Sequence, residues 1–294
     1  MNHIVIKNLS GNSGCSVTLN RIGKFFFVRK SAQSISYNER LVVQKNKQAE
    51  FTSSVFKTPG IIDDGYKDGL FFFDMEYVAG ESLAQLLTRG SLPQITLIGR
   101  SLDRYFVESQ GCYDKAGELI DSSVFAEKVQ SLKLNLSGKN DDVDEAFRIL
   151  DSFRWPSFPL GRCHGDMSCE NILISLSREL YLIDFLDSYC DNVCSDLSKL
   201  FIDLLIGWSV ARLPLKNAKN SEVRLDYLRK IIESWADDDT VVFQGLLDLL
   251  RILPYVTNSA DQHILDSGLK KLLSLIEKER LIEHPHSSVR GQVY

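Results

Sequence analysis

Residues 163–188 read CHGDMSCENILISLSRELYLIDFLDS. Two short apolar runs, NILIS and LYLIDF, flank a polar turn and predict an antiparallel pair of strands. In such a hairpin the turn before the first run and the end of the second lie side by side, which brings Asn171 and Asp184 together. An amide oxygen and a carboxylate placed this way can hold Mg²⁺, a hard cation that keeps several waters and substrate phosphates. Asp166, shortly before Asn171, is then free to orient a hydroxyl. Metal ligands plus an acid that positions a nucleophile's proton are the parts that phosphoryl transfer requires.

The rest of the chain sets the frame. Its 294 residues are 44% hydrophobic and 25% charged, enough to bury one large core or to build two lobes. A net charge of −5, without any Lys/Arg cluster interleaved with aromatics, argues against nucleic acid as a partner. The six cysteines form no C-x-x-C pair, and the five histidines supply no zinc spacing, so the thiols read as core filler. MNHIVIKNLS lacks the features of a signal peptide, and LFIDLLIGWSVARLPL, interrupted by Asp203 and Arg212, is too short and charged to span a bilayer. These features predict a reduced, cytoplasmic, soluble protein with no membrane partner.

Two regions differ in character. HIVIKNL, SVTLN, KFFFVRK and LFFFDMEYV read as strands, with one polar helix from about Tyr37 to Ser53 and Pro/Gly breaks in FKTPGIIDDGYKDG. Beyond AGES, helical patterns dominate, with Ser82 a suitable N-cap for the first of them. SDLSKLFIDLLIGWSVARL and SEVRLDYLRKIIESWA are the longest; in the second, Val223, Leu228, Ile231, Ile232 and Trp235 share one apolar face. The fold class is therefore α+β, with a small antiparallel β-rich lobe over residues 1–78 and a larger, mainly helical lobe over 79–294.

H-G-D-M-S-C-E-N resembles the kinase catalytic loop written H-x-D-x-x-x-x-N, and I-D-F resembles the Asp-Phe-Gly metal motif. His-Gly-Asp in place of His-Arg-Asp is the form of the aminoglycoside phosphotransferase and choline kinase group within the protein-kinase-like superfamily. The resemblance implies a bilobal fold, with Asp166 as catalytic acid-base group and Asn171 and Asp184 as metal ligands. It makes Asp196 a buttress of the catalytic loop and His164 a brace. Lys30, ending a strand, resembles the lysine that grips the α- and β-phosphates, and strand alternation puts Val28 on its face and Arg29 on the other. Distance along the chain selects Glu50 over Glu39 as the helix partner of Lys30, with Gln44 and Gln48 on the other face as alternatives. FFFDMEYVAGES resembles a hinge: Met75 behind the adenine, the carbonyl of Glu76 and the N–H of Val78 on its edge, Glu81 or Ser82 near the ribose. Gly11 and Gly14 offer a turn whose N–H groups can approach phosphates, although a full G-x-G-x-x-G is missing.

Three readings follow: a small-molecule kinase using ATP or GTP with Mg²⁺, a protein or effector kinase, and a nucleotide-binding pseudokinase scaffold. The short interval from Asp184 to Asp196, with no A-P-E, leaves little room for a peptide platform and favours the first. Lys30, Asp166, Asn171 and Asp184 are all present, against the third. Leu186 stands where protein kinases place Gly, a departure common in the aminoglycoside-type group. Asp187, Ser188, Tyr189 and Asp191 are candidates to face the acceptor, a sugar, aminoglycoside or amino alcohol. Asp237, Asp238 and Asp239 read as a solvated helix boundary, with contact to a cationic acceptor such as an aminoglycoside or choline as the alternative.

Overall fold

A computed structural model describes residues 4–9, 14–113, 118–213, 221–235 and 239–283. Strands β1 (Ile4–Leu9), β2 (Cys15–Ile22), β3 (Phe25–Ala32), β5 (Ile61–Lys67) and β6 (Leu70–Glu76) form an antiparallel sheet in the order β1-β2-β3-β6-β5. Helix α1 (Asn38–Glu50) covers one face of this sheet. There Cys15, Val28, Ala32, Tyr37, Leu41, Phe71, Phe73 and Met75 make an apolar cluster. Period-two alternation sends Val28 and Lys30 inward. Arg29 lies on the outer face, paired with Asp74 at 2.7 Å and set 4.0 Å over the Phe72 ring.

The FKTPGIIDDGYKDG stretch is not a simple run of breaks. It contains β4 (Phe56–Lys57) and all of β5, an edge strand rich in Asp and Gly that β6 holds by pairing rather than by its own propensity. Asp68 and Gly69 both have positive φ, which closes the β5–β6 hairpin in the primed-turn manner that an Asp-Gly pair favours.

β4 leaves the first sheet altogether. It joins a second one, β4-β11-β10-β7, made with β7 (Gly80–Ser82), β10 (Ile172–Ser175) and β11 (Leu180–Leu182). Around it pack α2 (Leu83–Arg89), α3 (Leu92–Tyr113), α6 (Val193–Ile206) and α8 (Ser221–Glu233), in a core that includes Leu102, Met167, Ile172, Leu200 and Leu228. A second helical core joins α4 (Ser123–Leu136), α5 (Asp141–Ser152), α9 (Asp239–Ile252) and α10 (Ser259–Glu283).

Ser82 caps α2 with a full capping box, its hydroxyl accepting from Gln85 N–H while Gln85 Oε1 accepts from Ser82 N–H. The long pattern over 195–213 is split at Gly207, whose left-handed φ of 71° ends α6 before α7 (Trp208–Ala211). On α8 the buried line is Ser221, Leu225, Leu228 and Ile232; Val223 points to solvent, 63% exposed, because it sits off that line. Cys15, Cys163, Cys169 and Cys190 are buried and Cys194 is half-buried, none of the five in a disulfide. The Cys112 side chain, Asp237 and Asp238 lie outside the described residues, and Asp239 opens α9. Among the described residues no helix is long and apolar enough to cross a membrane.

Candidate active site

The β10–β11 register settles the geometry of the opening stretch. Ile172 faces Leu182, and one step further out the Ile183 N–H donates to the Asn171 carbonyl at 3.0 Å. Asn171 and Asp184 therefore stand at the same open end of the hairpin. Asn171 Nδ2 donates to the Asp166 carbonyl at 2.8 Å and reaches its carboxylate at 3.3 Å, which ties the third residue to the pair.

The loop carrying Asp166 is held from below by one face of α6. Asp196, fully buried, accepts from the backbone N–H groups of His164 at 2.8 Å and Gly165 at 2.7 Å, and from the Tyr105 hydroxyl at 2.8 Å. Two turns later Asp203 accepts from Cys169 N–H at 2.7 Å and from the Ser209 N–H and hydroxyl. Asp196 thus occupies the buttress position, and Asp203 is a second one whose seven-residue spacing already puts it on the same helix face. His164 is fully buried. Asp166 N–H donates to its Nδ1 at 3.2 Å, and its Nε2 meets the Ile183 carbonyl at 2.7 Å. Burial pushes its pKa below the ordinary histidine value.

Asp184 adopts a left-handed φ of 64°, a strained conformation for a residue with a Cβ. The strain is compensated on either side. Phe185 is buried against Phe51 and the His164 ring, and the Asp184 carboxylate meets Lys30 Nζ at 2.5 Å. Lys30 is 2% exposed. Burial pulls its pKa down, but Asp184, with Cys15 and Tyr37 adding to it, holds it above the ordinary lysine value.

The helix partner of Lys30 is Gln44, whose Oε1 accepts at 2.9 Å. Glu50, the last residue of α1, and Glu39, in its first turn, are both exposed. Leu41, Gln44 and Gln48 form the buried stripe of α1, and Glu50 falls outside it. Gln48 instead donates to the Pro59 carbonyl at 2.8 Å and lies 3.5 Å from the Met75 sulfur.

Met75 lies opposite Val28 on the inner face of the sheet, and both are buried. Glu76 ends β6; its N–H donates to the Gly60 carbonyl at 2.9 Å and its carboxylate accepts from Gly60 N–H at 3.0 Å. Val78 is half-buried in the extended link to β7. A cavity of ≈ 860 Å³ beside that link is lined by Phe25, Phe27, Ile62, Glu76, Val78 and Leu176, but not by Lys30, Asp166 or Asp184. Of the glycine turn, Gly11 lies outside the described residues. Gly14 has φ +35° and faces the Tyr37 ring, 2.6 Å from where a Cβ would be. Glu81 is held by Arg89 at 2.8 Å, and the Ser82 hydroxyl is used as a cap.

The residues following Asp184 are engaged by α1 rather than left open. Asp187 accepts from Arg40 at 2.7 Å and from Gln44 at 3.0 Å. Lys47 reaches Asp191 at 2.6 Å, Ser188 Oγ at 2.9 Å and the Leu186 carbonyl at 3.0 Å. Tyr189 packs edge-on against Phe125 beneath Arg251, whose guanidinium lies 4.7 Å from its ring centroid. Arg40 and Lys47 escape a reading by local pattern because their partners lie more than 140 positions away in sequence.

Known proteins carry the same architecture. The aminoglycoside phosphotransferase APH(4)-Ia superposes with a TM-score of 0.53 at 14% identity over 94% of both chains. A thermostable mutant of that protein, in a ternary complex with AMP-PNP and hygromycin B, gives 0.50 at 12% identity over 93% of both chains. A candidate fructosamine-3-kinase from Haemophilus somnus 129PT gives 0.53 at 12% identity over 93% of this chain and 91% of that one. These likenesses establish a bilobal protein-kinase-like fold. No curated protein sequence matches the chain. The model of the phosphotransferase enzyme family matches residues 26–227, more than half of the sequence, and spans Lys30, Asp166, Asn171 and Asp184. The chain belongs to the phosphotransferase enzyme family.

Proposed function

We propose that the chain is a small-molecule kinase that transfers the γ-phosphoryl group of ATP or GTP to a hydroxyl of a small acceptor. The observation that carries this reading is the convergence of Lys30, Asp184, Asn171 and Asp166: Lys30 meets Asp184 at 2.5 Å, the neighbouring Ile183 N–H donates to the Asn171 carbonyl at 3.0 Å, and Asn171 Nδ2 donates to the Asp166 carbonyl at 2.8 Å. Lys30 steadies the donor phosphates. Val28 and Met75 line the inner face toward the base, with the Glu76 carbonyl and Val78 N–H for its edge. Asp166 takes the proton of the acceptor hydroxyl as its oxygen bonds to the γ-phosphorus, and the bond to the β-phosphate oxygen breaks to release the nucleoside diphosphate.

The donor set fits Mg²⁺. Asn171 spends its Nδ2 on Asp166, which leaves Oδ1 directed to the other side. Asp184 keeps a second carboxylate oxygen beyond the one that Lys30 holds, on a side chain 39% exposed. No group of three or more His, Cys, Asp or Glu residues forms a metal cage among the described residues, in keeping with an ion held jointly by two oxygens, phosphates and water. When bound, Mg²⁺ supplies charge neutralisation on the phosphate oxygens.

A protein-kinase reading finds less support. α6 begins at Val193, so the segment after Asp184 is short, and Asp187, Ser188 and Asp191 within it are tied to α1.

The test is transfer from γ-labelled ATP and GTP, with and without Mg²⁺, to a panel of sugars, aminoglycosides and amino alcohols. A labelled small product that disappears in Asp166→Ala is the expected result. Label found on protein alone, or undiminished transfer in Asp166→Ala, would overturn the reading.

A further inference from the structure

On the reading just given, the nucleotide lies on the Lys30 and Asp184 side of Asp166, and the acceptor lies beyond it. The side chains beyond Asp166 are basic. Lys199 Nζ on α6 is 3.5 Å from the Asp166 carboxylate and 3.9 Å from Asp248 on α9. Asp248 is 3% exposed at its side chain and accepts from Arg251 at 2.7 Å and from Ser198 Oγ at 3.0 Å. Arg251 lies over Tyr189, and Tyr189 meets Phe125 on α4. Lys128 is one turn along α4 from Phe125 and therefore shares its side of the helix.

Lys128 is half-buried and has neither an ion pair nor a hydrogen bond among the described residues. Burial depresses its pKa first, and the positive charges of Arg251 and of Arg40 on α1 depress it further, against a smaller opposing pull from Asp248, which Arg251 already binds. Four cations (Arg40, Lys128, Lys199, Arg251) thus gather around three carboxylates (Asp166, Asp187, Asp248), all of which already have basic partners. A partly desolvated ammonium among like charges is unfavourable unless something negative joins it.

We infer that the acceptor carries an anionic group, a phosphate or carboxylate, which Lys128 and Arg251 receive while its hydroxyl meets Asp166. Among the described residues, the acids that follow Asp184 and would greet a cationic acceptor are occupied. Asp187 is bound by Arg40 and Gln44, and Asp191 by Lys47. Lys128 contributes by holding the acceptor's anion and leaves the transfer step itself to Asp166.

The test offers γ-labelled ATP and GTP to two sets of acceptors matched in carbon skeleton. One set is anionic: glucose 6-phosphate, ribose 5-phosphate, glycerol 3-phosphate and glucuronate. The other is neutral or cationic: glucose, ribose, glycerol, glucosamine and choline. Label should enter the anionic set, and glucuronate against glucose 6-phosphate decides between carboxylate and phosphate. With the preferred acceptor, Lys128→Ala should raise KM about 10- to 100-fold, the worth of one charge-assisted hydrogen bond, while Lys128→Arg restores it. The KM for nucleotide and kcat should stay within about twofold, a split that general unfolding would not give.

Transfer to the neutral or cationic set with equal or better efficiency would overturn this inference and leave the kinase reading intact. So would an unchanged acceptor KM in Lys128→Ala. Transfer to neither set, with nucleotide bound, would remove the kinase reading and this inference with it.

Discussion

Lys30 on β3 and Asp184 at the end of the β10–β11 hairpin meet at 2.5 Å, although 154 positions separate them in sequence. The contact joins the antiparallel sheet to the catalytic loop, and Gln44 completes it from α1. Lys30 is buried, so its charge is stabilised mainly by Asp184.

Replacing Lys30 by Ala should therefore lower kcat by about 10²- to 10³-fold, as for loss of one preorganised donor to developing charge. The partner assignment is separable. Gln44→Glu loses the donor to Asp187 and sets a carboxylate against it, which should cost about 1–3 kcal/mol. Glu50→Ala, on the exposed end of α1, should stay within about 0.5 kcal/mol. Urea titration of both variants, with kcat, checks the pair. A crippled Glu50→Ala beside a normal Gln44→Glu would reverse the assignment.

Asp196 makes three charge-assisted bonds to the catalytic loop and Tyr105. Asp196→Ala strands two buried N–H donors and a hydroxyl, and should destabilise the chain by about 3–5 kcal/mol. Asp196→Asn retains one acceptor oxygen and should lose less stability than Ala. Denaturant midpoints order the two; equal midpoints for Ala and the parent would show that the loop stands without this acid.

The extent to which these contacts are legible in sequence follows from their range. Asn171 and Asp184 are brought together by hairpin register, a local rule, and Val28 and Lys30 by strand alternation. β5 is obscured because an edge strand of Asp and Gly depends on its neighbour, although the Asp68-Gly69 turn is a local sign of it. Gln44 is obscured because the buried stripe of α1 includes two glutamines, which apolar periodicity does not register. The engagement of Asp187 and Asp191 by Arg40 and Lys47 is purely tertiary, so their reading as acceptor contacts could not anticipate it.

His164 links stability to pH. Its Nδ1 accepts from Asp166 N–H while its Nε2 lies against a carbonyl, a pattern that only the neutral Nε2–H tautomer satisfies. Its folded pKa lies below the ordinary 6.5, chiefly through burial. Between the two values the unfolded chain binds the extra proton and the folded chain does not, so this contribution is complete above pH 6.5 and is lost as pH falls toward the folded pKa. Unfolding free energy measured from pH 7.5 to 5 should fall below about 6.5, and His164→Asn should flatten that slope. An unchanged slope in the variant would assign the acid sensitivity elsewhere.

Gly165 explains why the catalytic loop reads His-Gly-Asp. Its φ of +87° excludes an ordinary side chain, and a Cβ there would lie 2.1 Å from Ser188 Oγ, 2.9 Å from the Leu186 carbonyl and 3.0 Å from Lys47 Nζ. The space beside this residue is taken first by Ser188 Oγ, which Lys47, arriving from α1, binds together with Leu186 and Asp191. Gly165→Ala should thus act twice, straining the backbone by about 1–3 kcal/mol and pushing Lys47 from its partners. Lys47→Ala releases Ser188 Oγ to turn aside and weakens the second effect. In a double-mutant cycle, Gly165→Ala should cost less stability in the Lys47→Ala background than in the parent, with a coupling of about 0.5–3 kcal/mol. Strict additivity would mean that backbone conformation and the Ser188 and Leu186 contacts require the glycine whether or not Lys47 is present.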